Sequence, residues 1–352
     1  MSNAKFILSK KILKEQVEKL KNLGLKISYS YKTNRVVGKV LQEMEETEDL
    51  FYSIHAKEEI DEINDKKKIW FFTQAESEEE LKIILEKGII NFVIDNEIDL
   101  ERLLNVIKKE KKKVNLSLRM KFLEHRIGTG KYFVYGMPSV KVNELILNLK
   151  ENKFLGQIGV HIHRKSQNTS EWEIVEDLED SLTKESLEII SFVNLGGGLP
   201  SVYRNSNEKI FNYVFEKLSL ANEWLKEKNI DVIIEPGRFL AAPCVRLEVE
   251  VIQKYVNNLI VNTTLYNCAL DTFFTGTRLR VLGEKLSEEK GGHFLIKGNS
   301  PTRDDIFRYK VKLDSEIKVG DKIIFLNAGA YNYTTDFFGY KKLKTEILED
   351  FV

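Results

Sequence analysis

Residues 25–34 read LKISYSYKTN, and the order of residue types in this stretch sets the fold. Leu25, Ile27, Tyr29 and Tyr31 alternate with Lys26, Ser28, Ser30 and Lys32. A period of two is that of a strand with one apolar face, here over 26–32. Lys32 ends the small, polar face, with two serines behind it that leave it room, just before Thr33 and a helix-like segment. Working outward, further strand-like runs fall at 49–55, 68–74, 89–96, 113–121, 154–165, 188–195 and 230–238. Between them lie amphipathic segments such as NRVVGKVLQEMEE, SEEELKIILEKG and DLERLLNVIKKEK, with apolar residues three and four apart. An open doubly wound sheet also alternates in this way. Eight consecutive units in roughly 210 residues favour closure, so the expectation is an α/β fold built as a (β/α)8 barrel.

From about residue 245 the helices give way to strand-like runs: VRLEVEVIQKYV, NLIVNTTL, HFLIKG, YKVKL and DKIIFLNAG, with turn signals at VGDK and GGH. The expected division is a barrel over 21–243 and a C-terminal β-sandwich or barrel-like domain over 244–352, which residues 1–20 join.

Among the 352 residues, Lys+Arg and Asp+Glu number 54 each, so the formal net charge is zero. That removes the electrostatic argument for nucleic acid or an anionic membrane as partner. The lysine runs at 66–68 and 108–113 stand beside acidic runs and suit solvated helix faces. No apolar run approaches the roughly 18–20 residues that span a bilayer, and MSNAKFILSKKIL lacks the core of a secretion signal. Cys244 and Cys268 are the only cysteines, so a reducing cytoplasm is the expectation. No Cys or His pair has structural-zinc spacing, and His161 and His163 suit neutral imidazoles better than metal ligands.

In a barrel of this kind the reacting groups gather at the C-terminal ends of the strands. Here those ends carry Lys32, then His55 and Glu59, Arg119, then His161, His163 and Ser166, then Gly196, Gly197 and Gly198, then Glu235, Gly237 and Arg238. Three glycines after an apolar strand fit a phosphate cup or an ordinary turn equally well. Arg238 is a natural second phosphate ligand. Glu235, inside the apolar run VIIEPGR, is either half of a salt bridge or a carboxylate that binds a protonated ring nitrogen. Lys32 either snorkels to solvent or acts as an amine nucleophile towards an aldehyde. Aldehyde, phosphate and pyridine nitrogen are the three handles of pyridoxal phosphate.

With these motifs the chain resembles the pyridoxal-phosphate decarboxylases of the alanine-racemase fold, the group of ornithine, diaminopimelate and carboxynorspermidine decarboxylases. SYSYKTN resembles the lysine motif, which makes Lys32 the Schiff-base residue. GVHIHRKSQ resembles the histidine–serine motif, with His163 stacking on the cofactor and Ser166 touching phosphate. NLGGG matches the phosphate loop, EPGRFL supplies Glu235 for the ring nitrogen and Arg238 for phosphate, and NAGAY brings Tyr331 to the phosphate. Glu59 and Arg119 fall where the family keeps a glutamate and an arginine near the cofactor.

One segment departs from the pattern. In GNSPTRDD, Arg303 stands where the family's proton-donating cysteine is found, and Asp304 keeps the acidic position; Cys268 lies elsewhere. Either Lys32, a tyrosine or water supplies the proton, or the outcome of the reaction differs. Arg303 either binds an extra substrate carboxylate or turns away to pair with Asp305 or the phosphate. The resemblance implies a homodimer in which this segment completes the partner's site. It also implies decarboxylation of an amino acid with a distal cationic group, met by Asp304 and by Asp305 or Asp271. The rival readings are a racemase, a decarboxylase with non-standard protonation, and a non-catalytic relative that binds a protein.

Overall fold

The computed structural model describes residues 3–122, 135–206, 209–332, 334–336 and 339–351. Nine short parallel strands follow the reading of the first two-thirds of the chain. After β1 (Lys5–Ser9) come β2 (Lys26–Ser30), β3 (Phe51–Ile54), β4 (Ile69–Phe72), β5 (Asn91–Ile94) and β6 (Val114–Lys121). These are followed by β7 (Met137–Pro138), β8 (Leu155–His161), β9 (Phe192–Asn194) and β10 (Asp231–Ile234). Pairing runs β5-β4-β3-β2-β10-β9-β8-β6, and β6 closes onto β5, so eight parallel strands form the barrel while β7 adds to β6. The expected (β/α)8 barrel is present.

Helices cover the outside, and their starts are written locally. In the helix Glu78–Glu86, Ser77 and Glu80 form a reciprocal capping box below three acidic residues. The helix Glu97–Lys109 is capped by Asn96 and ends in Lys108 and Lys109, the charge order that a helix dipole favours.

The period of two in each strand then sorts residues into an outward and an inward set. Ile27, Tyr29 and Tyr31, the apolar face of the opening stretch, belong to the large core that the helices share. Inside, Trp70, Val93, Phe192 and Ile233 form a separate apolar plug with Phe51 and Phe72 against it. Above the plug β4 keeps an apolar residue, Phe72, but other strands turn polar: Ser28 on β2, Ser53 on β3, His161 on β8, Asn194 on β9, and Glu235 just past β10. Ser28 of SYS is therefore more than a spacer. Ser28 Oγ lies 2.8 Å from Ser53 Oγ within the barrel.

The strands are shorter than their apolar patterns. β2 stops at Ser30, so Lys32 sits in the single 3₁₀ turn Tyr31–Thr33. β8 stops at His161, and β10 stops before Pro236, whose missing N–H cannot join a ladder. Lys32 and Glu235 consequently lie on the exits of the strands.

The rest of the chain forms one mixed sheet of eight strands. β11 (Val245–Tyr255) pairs antiparallel with β1, with β12 (Asn258–Val261) and with β16 (Lys322–Leu326). β13 (Arg280–Val281), β14 (Gly292–Lys297), β15 (Ile306–Leu313) and β17 (Lys344–Leu348) complete it. β1 sits between β11 and β17, so the first strand of the chain belongs to this sheet. β13 and the short helices Leu265–Cys268 and Leu270–Thr275 carry too few residues for a pattern to declare them, and β17 is largely exposed, with no buried face to mark it.

Candidate active site

Glu235 is 4% exposed, yet it has an ionised environment built for it. Ser53 Oγ donates to Oε1 at 2.7 Å and Asn194 Nδ2 donates to the same oxygen at 3.0 Å, while His161 Nε2 lies 3.1 Å from Oε2. Burial works to raise the pKa, but His161, His55 and the Ser53 hydroxyl outweigh it and hold the carboxyl at about 2. The salt bridge to Arg238 that the sequence left open does not form. Arg238 is engaged elsewhere.

Glu235 shares a cavity of about 380 Å³ with Lys32, His55, Phe72, Arg119 and His163. Lys32 opens onto this mouth, and the surrounding protein lowers its ammonium pKa by desolvation, against the opposing pull of Glu235. Its turn is pinned from both sides. Tyr331 N–H donates to Thr33 O at 3.0 Å, and Asn34 caps the next helix through Oδ1 while its Nδ2 reaches Gly329 O at 2.8 Å. Arg119 points inward from β6, 3.3 Å from Asp95 and 4.9 Å from the centre of the Tyr135 ring. Glu59 stands behind the mouth. It accepts the His55 backbone N–H at 3.4 Å and faces Arg35 at 3.6 Å, and burial raises its pKa.

His163 accepts the Gly197 N–H at Nδ1, 3.2 Å away, and burial pushes its pKa down to about 3. His55 stacks on Phe72 at 4.3 Å and is likewise held at about 3 by burial and by Lys32. The ligating atoms of His161, His163 and Glu235 lie within 4.8 Å of one another. Within the trio His161 Nε2 meets Glu235 and His163 Nδ1 accepts from Gly197, so the three side chains form part of a hydrogen-bonded network.

The glycine run passes so close to its neighbours that side chains are excluded. A Cβ on Gly196 would collide with Ile162 O, and Gly196 and Gly198 take φ +65° and +104°, which other residues resist. A Cβ on Gly237 would meet Thr33 Oγ1. Beside this cradle, Arg238 is 4% exposed, and its Nε donates to Ser166 Oγ at 3.3 Å. Nη1 and Nη2 grip Asp271 bidentately at 2.7 and 2.9 Å, and Nη1 also reaches Tyr203 at 2.8 Å. Burial opposes the guanidinium charge, but these contacts outweigh it and raise its pKa. Tyr331 lies below the guanidinium at 5.2 Å with φ 55°, an unusual conformation for a tyrosine. Asp271, weighed from the sequence as a ligand for a distal amine, instead spends both oxygens on Arg238 and takes a further hydrogen bond from Thr277.

The segment GNSPTRDD lies apart from this cluster. Arg303 is 95% exposed and faces Asp304 at 3.8 Å, rather than Asp305 or any residue of the mouth described above. Asp305, expected to bind substrate, is fully buried. Its oxygens accept from Leu265 N at 2.7 Å, Ser300 N at 3.0 Å and Ser300 Oγ at 2.6 Å, which makes it the anchor of the turn and leaves it no face towards a substrate.

His161, Ser53, Asn194 and Tyr203 had no assigned part from the sequence. Strand parity was the available signal for the first three, because each sits one period above the apolar plug. Tyr203 lies in a loop and carried none.

The arrangement fits a phosphorylated pyridine aldehyde. It offers an amine, a buried anionic acceptor, a neutral aromatic ring, and a glycine cradle beside an arginine and a serine. Thr33 Oγ1 and the Nδ1 atoms of His55 and His161 are buried polar atoms with no hydrogen-bond partner of their own.

Comparison with known proteins agrees. The chain is 25% identical over 347 residues to a diaminopimelate decarboxylase from Staphylococcus aureus, covering 89% of this chain and 79% of the relative. Lysine decarboxylase from Selenomonas ruminantium superposes with a TM-score of 0.81 at 17% identity, over 100% of this chain and 94% of that one. A diaminopimelate decarboxylase from Helicobacter pylori, complexed with L-lysine, gives 0.80 at 21% identity over 100% and 93%. Residues 9–242 match the pyridoxal-binding domain of the pyridoxal-dependent decarboxylases, and the chain belongs to that family.

Proposed function

We propose that this enzyme decarboxylates an amino acid bearing a distal cationic group, with Lys32 holding the aldehyde carbon of pyridoxal phosphate and Glu235 accepting from its ring nitrogen. The observation that carries the reading is Glu235 itself: a buried carboxylate, hydrogen-bonded by Ser53, Asn194 and His161, in the same cavity as Lys32. When bound, the cofactor supplies an electron sink for the pair left behind by the departing carboxylate.

The chain's own residues supply the rest. Gly196, Gly197 and Gly198, with Ser166, Gly237, Arg238 and Tyr331, cradle the phosphate. His163 offers an uncharged face to the pyridine ring, because its Nδ1 is committed to Gly197. Lys32, with its pKa lowered, can take up and return a proton in the mouth. Arg119 and Glu59 set the charge around that amine, the first from the cavity wall and the second from behind it.

Arg303 and Asp304 are exposed on a turn that Asp305 fixes, and we place them at the mouth of a second copy in a homodimer. There Asp304 meets the distal ammonium, and Arg303 meets a substrate carboxylate. Ligands of related structures support the cationic class: lysine/ornithine decarboxylase from Vibrio vulnificus is complexed with putrescine, and the Helicobacter pylori enzyme with L-lysine. We divide the chain into a barrel over 21–243 and a β domain of 1–20 with 244–352; the pairing of β1 with β11 and β17 supports this for residues 5–9, while the helix Lys10–Lys21 packs against β2 of the barrel. Two unpaired cysteines support a reducing cytoplasm; among the described residues no helix is long and apolar enough to cross a membrane.

The test is a product screen by mass spectrometry. Cofactor-loaded protein is offered lysine, ornithine, arginine, diaminopimelate and carboxynorspermidine, with Lys32→Ala as control. A product lighter by CO2 and absent from the control is expected. Recovery of only the opposite enantiomer would replace the reading with racemisation.

A further inference from the structure

Glu235 receives hydrogen bonds at both oxygens, and the donor at Oε2 is a histidine. His161 is 1% exposed, inward on β8, with its ring held edge-on to Phe72 at 5.1 Å. Its Nε2 lies 3.1 Å from Glu235 Oε2, and its Nδ1 is buried with no hydrogen-bond partner among the described residues. An ionised carboxylate can only accept, so the hydrogen sits on Nε2 and Nδ1 is bare. An imidazolium would bury a second N–H with nothing to receive it. Burial indeed keeps the pKa of the ring below its ordinary value despite the pull of Glu235.

We infer that His161 is a positioning residue which, as a neutral Nε2–H donor, makes Glu235 a weak base and so keeps the shared proton on the ring nitrogen of the bound cofactor. The inference rests on the reading of Glu235 as the ligand of that nitrogen. Every hydrogen bond donated to a carboxylate lowers its proton affinity. Ser53 and Asn194 act on Oε1, and His161 acts on Oε2. The other titratable or charged groups around the site are His55, Lys32, His163, Arg119, Asp95 and Tyr135. Remove the His161 donor and desolvation gains on what remains, so a buried Glu235 becomes the better base. The proton then crosses from ring nitrogen to carboxylate, and the ring becomes a poorer electron sink.

The experiment labels the ring nitrogen of the cofactor with 15N and reads its shift in the holoenzyme. The wild type is expected to show a protonated ring nitrogen. His161→Phe, which keeps a flat ring but no donor, should move the signal towards that of an unprotonated pyridine. His161→Gln, which keeps an N–H, should stay near the wild type. A second readout is equilibrium binding. His161→Phe should weaken pyridoxal phosphate about tenfold, while the analogue with CH in place of the ring nitrogen binds equally to both proteins. An unchanged shift in His161→Phe overturns the inference. So does an imidazole 15N spectrum of the wild-type protein that places the His161 hydrogen on Nδ1, a reading that needs no variant to fold. An unprotonated ring nitrogen in the wild type overturns both the inference and the role of Glu235.

Discussion

The barrel mouth and the 298–305 turn of the β domain carry the two sets of charges that the sequence marked, and they are built in opposite ways. In the mouth, Glu235, Arg238 and His161 are at most 4% exposed, and each is locked by buried partners. On the turn, the carboxylate locked by partners is Asp305, and it serves the backbone, while Arg303 and Asp304 stand in solvent and face each other at 3.8 Å. The charged groups of the mouth are therefore fixed in place by partners from the same chain. The turn is a pair of probes whose geometry is set at the base and free at the tip. Groups held rigidly in a dry site act strongly on developing charge; exposed ion pairs contribute little. The function proposed above accordingly assigns chemistry to the first region and substrate choice to the second.

The sharpest way to break this division is Lys32→Ala. It should remove the visible absorbance band of the cofactor and lower turnover by about 10³-fold or more, the order lost with a proton-transferring group. A variant that keeps the band and most of its turnover would move the chemistry away from this mouth. Glu235→Gln comes next, with kcat falling about 10²-fold and KM little changed, read by steady-state kinetics on the substrate found in the screen. A change in KM alone would make Glu235 a substrate ligand and not a cofactor ligand.

The difference between the two regions also governs what could be read from the residues. Lys32, His163, Glu235 and the glycine run announced themselves because each is an uncommon residue at a strand exit, where a barrel gathers its chemistry. The network beneath them was legible only after the inward face was known. Ser28 and Ser53 look like small residues until the 2.8 Å contact joins them to the Glu235 system. Asp271 was misread because its role depends on a helix of six residues, too short to give a period, that turns it onto Arg238. Asp305 was misread for a related reason. Two adjacent aspartates look equivalent in a sequence, and only the fold decides that one faces inward over Gly298 and the other outward.

Acid should strike the mouth and spare the turn. Free histidine titrates near 6.5, whereas His55 and His163 are held at about 3 in the folded protein. Between those values the unfolded chain binds protons that the folded chain refuses, so stability falls as pH drops below about 6.5. Each histidine contributes a slope of about 1.4 kcal/mol per pH unit. Glu235, held at about 2 against an ordinary 4.5, adds its own loss only as the pH falls through that lower range. Urea midpoints of the cofactor-free protein at pH 7, 6 and 5 measure this. His55→Phe should flatten the decline, and a midpoint unchanged from pH 7 to pH 5 would show that the mouth admits water freely.

Asp271→Asn tests whether the phosphate end is preorganised as the ring end is. Loss of the bidentate clamp frees Arg238 to wander, and affinity for pyridoxal phosphate should fall about tenfold, the worth of one charged hydrogen bond. Pyridoxal without its phosphate should bind as before. Tighter binding of the phosphorylated form would mean that Asp271 restrains Arg238 electrostatically and does not aim it.

The smallest effect belongs to the turn, and its smallness is what the comparison requires. Asp304→Asn removes one exposed charge. A charge pair that stays partly in water is worth at most about 1 kcal/mol, or about a fivefold rise in KM. The cofactor band, the urea midpoint and kcat should not move, because nothing in the mouth leans on this residue. Mixing Asp304→Asn protein with Lys32→Ala protein then separates the two placements of the turn. If the turn of one copy completes the mouth of another, some mixed dimers hold one fully intact site, and wild-type KM reappears in part. If the mixture shows only the KM of the Asp304→Asn protein, the turn serves its own protomer or none, and the selectivity of the enzyme must be sought in the walls of the mouth itself.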